Sequence, residues 1–343
     1  MRAAFFEGMK KMVVREAEPP PLRDGDALVR VHFCGICGSD LSLYKSGILS
    51  GPDEVLGHEF SGVVEEDRSG LFEPGTRVVA WPARGCGECL WCREGHPRYC
   101  LNPPSAWGAY AEEVAVPGRY LIPVSDGLDD RTASLAEPLG VGVRAVDMAG
   151  VRKGDLVFVS GLGSIGLLAI SALIDRGARV IGADVREDRR ALGEAFGCEL
   201  VFDPVAEDPF WKTLAVDQHG PRFAFECSGS GTAVQMAFNV CGHMGTVVLL
   251  GIPFEPAVFI PAVMSVKEQR ALSISGPSRE SMEGALDLLE RRPETARVIT
   301  GDVPLDEIDR AMLDLAEGHG GVKVLVDPRG GSGGTRYGQA AER

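Results

Sequence analysis

Asp155-Leu156-Val157-Phe158-Val159-Ser160-Gly161-Leu162-Gly163-Ser164-Ile165-Gly166 decides how the second half of this chain folds. Its apolar middle reads as a buried strand, and its end has the glycine spacing G-x-G-x-x-G. Glycine turns alone are common and occur in unrelated α/β folds. Here a helix reads from Gly166 to Arg176, and a second strand, Arg179 to Asp184, ends on an acid 18 residues after Gly166. That succession is what a dinucleotide loop needs. Gly161, Gly163 and Gly166, with Ser164 and Ile165 between them, let the backbone turn tightly and approach a pyrophosphate at a positive helix N-terminus. Asp184 would accept hydrogen bonds from both adenosine-ribose hydroxyls and repel a 2′-phosphate, so NAD is expected over NADP. Arg186, Arg189 and Arg190 lie close enough in sequence to soften that choice.

Downstream, the alternation continues with a helix over 186–196 and apolar runs at 223–227, 246–251 and 272–275. Strand–helix alternation implies a parallel sheet covered on both faces. The first 145 residues or so read differently: short β-type runs such as 27–31, 62–65 and 77–80, separated by Gly and Pro turns, predict a mostly β domain. After Pro277 come a helix at 281–292, a strand near Val298, a helix at 305–316 and a strand at 322–326. Pattern alone does not assign this block to either domain. The Gly-Gly-Ser-Gly-Gly tail reads as flexible.

The chain has 343 residues, 45% hydrophobic and 24% charged, and a net charge of -14. Such a surface disfavours nucleic acid and anionic lipid as partners. No apolar run is long enough to span a membrane, and the first eleven residues do not read as a signal peptide, so a cytoplasmic protein is expected.

Nine cysteines are present, and four of them cluster as Cys86-x2-Cys89-x2-Cys92-x7-Cys100. Four thiolates at this spacing close a tetrahedral zinc site with no open position, which serves stability rather than chemistry. Disulfides and an iron–sulfur cluster are the competing readings. Two further segments carry mixed ligands: Gly35-Ile36-Cys37-Gly38-Ser39-Asp40 and Gly57-His58-Glu59-Phe60-Ser61-Gly62. A thiolate, an imidazole and a carboxylate with room for a fourth ligand suit a catalytic zinc. Taken singly they are weak, since a lone Cys is usually buried filler, a lone His is usually a satisfied side chain, and Cys34 with Cys37 could form a redox pair.

Together these motifs resemble the zinc-containing medium-chain dehydrogenase/reductase family over residues 1–328, joined by Trp107 to Glu112 before a Val-Ala-Val-Pro strand and by Glu137-Pro138. The resemblance implies a GroES-like β domain (1–148), a Rossmann domain (149–280), a C-terminal return to the first domain (281–328) and a tail (329–343). It implies two zinc ions per chain, NAD, a small alcohol or ketone substrate and a homodimer or homotetramer. Cys37 and His58 become implied ligands of a catalytic zinc. Where one branch of the family has a third Cys ligand, this chain has Glu137, as in polyol and threonine dehydrogenases, in which Glu59 or Glu137 ligates directly or through water. Asp40 would orient the ligands, Ser39 would take the alcohol proton, and Arg189 would pack on the adenine or its ribose. Many relatives carry a relay His three residues after that Ser; here it is Ser42, which puts the proton exit in question.

Cys-Gly-Ser-Asp-Leu-Ser is similar to the run in amino-cyclitol dehydrogenases, which with Glu137 favours a secondary alcohol of the polyol, cyclitol or amino-polyol class. Threonine-like amino alcohols and simple or aromatic alcohols are the alternatives. A zinc-stabilised NAD sensor without turnover is a reading of another class, and a zinc-free quinone reductase is disfavoured by the intact ligand set.

Overall fold

A computed structural model describes residues 1–47, 53–83, 85–103, 108–252, 256–258 and 260–330. Trp107 and the tail after Gly330 lie outside the described residues. The chain divides into two units, Met1–Glu137 with Ile299–Arg343, and Pro138–Val298.

The second unit is a parallel sheet in the order Leu200–Phe202, Arg179–Ala183, Leu156–Ser160, Phe223–Glu226, Thr246–Leu249, Arg270–Ser273. The order reverses between Leu156–Ser160 and Phe223–Glu226. In doubly wound sheets ligands bind outside the carboxyl ends of the strands at such a switch point. Every residue of Leu156–Ser160 is buried, as the apolar run predicts. Helix Ser164–Asp175 is buried from Gly166 through Leu173, because its sequence is apolar on all sides.

Two boundaries differ from the sequence reading. Helix Ala136–Ala149 continues into the second unit from its third residue, where the sequence places the break after residue 148. Gly142 explains this: a Cβ there would lie 3.0 Å from the Ala169 backbone, so the helix packs directly on helix Ser164–Asp175. Helix Arg279–Arg291 also belongs to the second unit, not to the C-terminal return. It buries Met282, Ala285, Leu286 and Leu289. Gly140 admits Met282 and Pro277, each 3.0 Å from where its Cβ would stand. The crossing back comes at Ile299, the start of a strand.

The first unit is built on two β-sheets. Its larger sheet runs Ile299–Pro304, Lys323–Asp327, Asp26–Gly35, Glu59–Asp67, Arg77–Ala80, Leu121–Pro123, and Glu113–Pro117 also pairs with Asp26–Gly35. The C-terminal strand is antiparallel to Asp26–Gly35, with Leu325 opposite Gly35 and Val326 opposite Cys34. On the other side Gly35 faces Glu59. This register brings three distant segments, 34–37, 58–59 and 323–326, to one place. The core beneath them holds Phe6, Val29, Phe60, Tyr110 and Val326.

Candidate functional site

Cys37 ends the strand–loop segment and stands at the N-cap of helix Gly38–Ser46. His58 immediately precedes strand Glu59–Asp67. The sheet register therefore sets them together: ligand atoms of Cys37, His58 and Glu59 all lie within 4.8 Å of one another. Asp40 Oδ1 is 3.6 Å from His58 Nδ1, which leaves Nε2 as the ring's other ligand position. Burial disfavours a charged His58, but Asp40 and Cys37 outweigh it and hold the imidazole pKa well above its usual value. Burial likewise raises the Asp40 carboxyl, against the pull of His58 and of the Tyr110 hydroxyl. Ser39 Oγ donates to Cys37 Sγ at 3.2 Å, so its hydroxyl is at the cluster. The Ser42 hydroxyl donates back to Gly38 O at 3.0 Å.

Glu59 is buried and divided between two roles. Its Oε2 accepts from the Lys323 ammonium at 2.6 Å, while Oε1 is buried with no hydrogen-bond partner. Lys323 also donates to Ile36 O at 3.0 Å. Burial alone would lower the lysine pKa; the Glu59 charge overrides it and the pKa is raised. Gly35 is needed here, because Glu59 Oε2 occupies the space its Cβ would take. Glu137 lies outside the three-residue group, buried in the first turn of helix Ala136–Ala149. Burial pushes its carboxyl up to about 7; His58 pulls it down and Glu59 adds to the rise.

The four-cysteine lobe winds around the short helix Leu90–Arg93 and a 3₁₀ turn at Pro97–Tyr99. Its sulfurs stand 3.5 Å apart for Cys89 and Cys92, 3.9 Å for Cys89 and Cys100, and 4.0 Å for Cys86 and Cys92. Corners of a tetrahedron with metal–sulfur bonds of about 2.3 Å are about 3.8 Å apart, so the spacing fits zinc. Amides of Glu88 and Cys89 donate to Cys86 Sγ at 3.4 and 3.3 Å and spread its charge. None of the nine cysteines is in a disulfide, and Cys34 is fully buried.

In the second unit, Gly161 follows the central strand with φ +87, and a Cβ on it would lie 2.7 Å from the Ser228 amide. A Cβ on Gly166 would strike the Gly161 carbonyl. Gly163 is the N-cap of the next helix and faces open space, with Arg189 Nη1 3.8 Å away. Asp184 is buried; Oδ2 accepts from the Leu162 amide at 2.7 Å and Oδ1 from the Arg186 amide at 2.9 Å. These bonds aim the carboxylate at the glycine turn. Beside it is a cavity of about 890 Å³ lined by Gly161, Asp184, Arg189, Val205, Phe210 and Ser228. The arginines around it are engaged: Arg186 by Asp188 through two bonds of 3.0 and 2.7 Å, Arg189 with Asp184 at 3.8 Å, Arg190 with Asp203 at 3.5 Å.

Comparison with known proteins assigns both units. The alcohol dehydrogenase GroES-like domain family matches residues 23–126, and the zinc-binding dehydrogenase family matches residues 164–291. A Mycobacterium tuberculosis protein that carries an alcohol dehydrogenase name is 31% identical over 92% of this chain and 91% of its own length. The chain belongs to the zinc-containing medium-chain dehydrogenase/reductase family. A sorbitol dehydrogenase of Halalkalibacterium halodurans is 28% identical, over 94% of this chain and 97% of its own. A Sinorhizobium meliloti protein described as a zinc-binding dehydrogenase, solved with NADP, superposes with a TM-score of 0.85 at 30% identity, covering 95% of this chain and 99% of that one.

As a medium-chain dehydrogenase the chain is an oxidoreductase, and two of its buried polar residues escaped the sequence reading. Lys323 was visible only as one charge inside the apolar run 322–326. Tyr110 lay inside the Trp107–Glu112 motif without a role. No described helix is long and apolar enough to cross a membrane.

Proposed function

We propose that this medium-chain dehydrogenase is a zinc-dependent alcohol dehydrogenase that moves a hydride between a secondary alcohol of the polyol, cyclitol or amino-polyol class and NAD. The observation that carries the reading is the convergence of Cys37, His58 and Glu59 within 4.8 Å, with Ser39 hydrogen-bonded to the thiol. Soft sulfur, imidazole and a carboxylate oxygen are a donor set that zinc accepts, and the unpartnered Glu59 Oε1 gives the cluster an acceptor still to be filled. Cys37 and His58 would hold the ion. Lys323 claims only Oε2 of Glu59, so its Oε1 is one candidate for the third protein ligand; Glu137, which lies outside the group, is the other, directly or through water. A second zinc would sit among Cys86, Cys89, Cys92 and Cys100.

When bound, the catalytic zinc supplies Lewis acidity that lowers a hydroxyl pKa towards neutrality. The remaining work falls to the chain. Asp40 fixes the His58 ring, and Ser39 receives the substrate hydroxyl proton. Ser42, turned back on Gly38, offers no direct relay, so the proton leaves Ser39 through water. The uncapped amides at Gly163 would receive the pyrophosphate and Asp184 the adenosine ribose. The polyol preference is supported by Glu137 and by the sorbitol dehydrogenase among the relatives.

The test is NADH formation monitored by absorbance across polyols, cyclitols, amino alcohols and simple alcohols with both cofactors. Polyol-class substrates with NAD are expected to give the highest kcat/KM. Absence of alcohol-dependent NADH formation from a zinc-loaded sample would rule out catalysis and leave the sensor reading. Cofactor choice is tested separately by calorimetry: Asp184→Ala should weaken NAD binding by roughly tenfold or more, the value of hydrogen bonds to a charged group, with a smaller loss for NADP. Equal losses for both would refute its ribose role.

A further inference from the structure

Tyr110 touches both segments that carry the candidate ligands. On one side its amide donates to Leu56 O at 3.0 Å, and the Ala109 amide donates to Gly57 O at 3.0 Å. Its ring backs the same loop closely: a Cβ on Gly57 would lie 2.9 Å from it. On the other side its hydroxyl donates to Asp40 Oδ2 at 2.6 Å and lies 3.2 Å from Gly35 O. Tyr110 is fully buried and Asp40 is 3% exposed, so no solvent competes for this bond. The other Asp40 oxygen is the one facing His58 Nδ1. Beyond Tyr110, Oδ2 has the Cys37 amide at 3.4 Å, at the outer limit for a hydrogen bond.

We propose that Tyr110 is a positioning residue whose hydroxyl, by fixing the Asp40 carboxylate, sets how tightly the Cys37–His58 site holds its metal. The inference rests on the reading of that cluster as a zinc site. Removing the hydroxyl leaves one Asp40 oxygen with a single long partner, and the carboxylate is then free to turn away from His58. Partners one shell out from a metal ligand typically change affinity by about 10–100-fold. The ring itself is retained in Tyr110→Phe, so the packing against Gly57 is kept.

The experiment is metal titration of the full chain after chelator stripping, with zinc against a competing chelator and with cobalt(II). Thiolate-to-cobalt absorption separates a four-thiolate site from a one-thiolate site. Tyr110→Phe is expected to weaken the Cys37–His58 site by about tenfold, with the four-cysteine site unchanged. Asp40→Asn should weaken the same site, and the double variant should be no weaker than Asp40→Asn alone, because Tyr110 acts through that carboxylate. Additive losses, equal weakening of both sites, or native affinity in Tyr110→Phe would each overturn the role of Tyr110. Uptake of only one metal by the unaltered chain would instead contradict the zinc reading itself, and this inference with it.

Discussion

Cys37→Ser is expected to leave NAD affinity within about twofold of native while lowering kcat by about a thousandfold or more, the factor that about 4 kcal/mol of lost transition-state stabilisation represents. The reasoning is one of separation. The glycine turn and Asp184 lie within Pro138–Val298, a unit with its own sheet and core, whereas Cys37 belongs to the other. A serine hydroxyl at this position is a far poorer ligand than a thiolate, so the site loses its strongest donor while His58 and Asp40 stay in place. Calorimetry with NAD and steady-state kinetics on the best alcohol measure the two halves. Native turnover in Cys37→Ser would remove the metal assignment, and loss of NAD binding in parallel with turnover would point to misfolding instead.

Lys323→Met should destabilise the first unit by about 3–5 kcal/mol, the usual consequence of leaving one member of a buried ion pair alone. Both partners are essentially sealed from water, with side chains 3% and 1% exposed, and they meet at 2.6 Å. A methionine fills the stem but leaves the buried Glu59 carboxylate beside Gly35 without its ammonium partner. Adding Glu59→Gln removes that charge and should recover a large part of the loss. Urea unfolding followed separately for each unit measures it. A shift under about 1 kcal/mol for Lys323→Met would mean the pair is solvated or already neutral, and failure of the second substitution to recover stability would mean that the damage is not electrostatic.

The Rossmann unit was legible because its signals are local. The run from Asp155 to Gly166 states strand, turn and helix in sequence order, and Asp184 follows at the distance the geometry requires. The short strand Leu200–Phe202 was not, since three residues carry no period, nor were helices Pro209–Val216 and Gly231–Val240. Cys37 and His58 were legible through their motifs. The Lys323–Glu59 pair was not, because it joins residues 264 apart through a strand register that no local pattern encodes. Helix Arg279–Arg291 was misassigned for a related reason. Its amphipathic pattern predicts a helix correctly, yet the choice of surface beneath it rests on Gly140, a residue whose meaning appears only once Met282 is seen against it.

The central claim is that the chain binds two metal ions, one gripped by Cys37 and His58 and a second by the four cysteines. Elemental analysis of a fully active preparation measures it directly. Two zinc equivalents per chain are predicted, falling to one in Cys37→Ser; full activity with fewer than two would contradict the account.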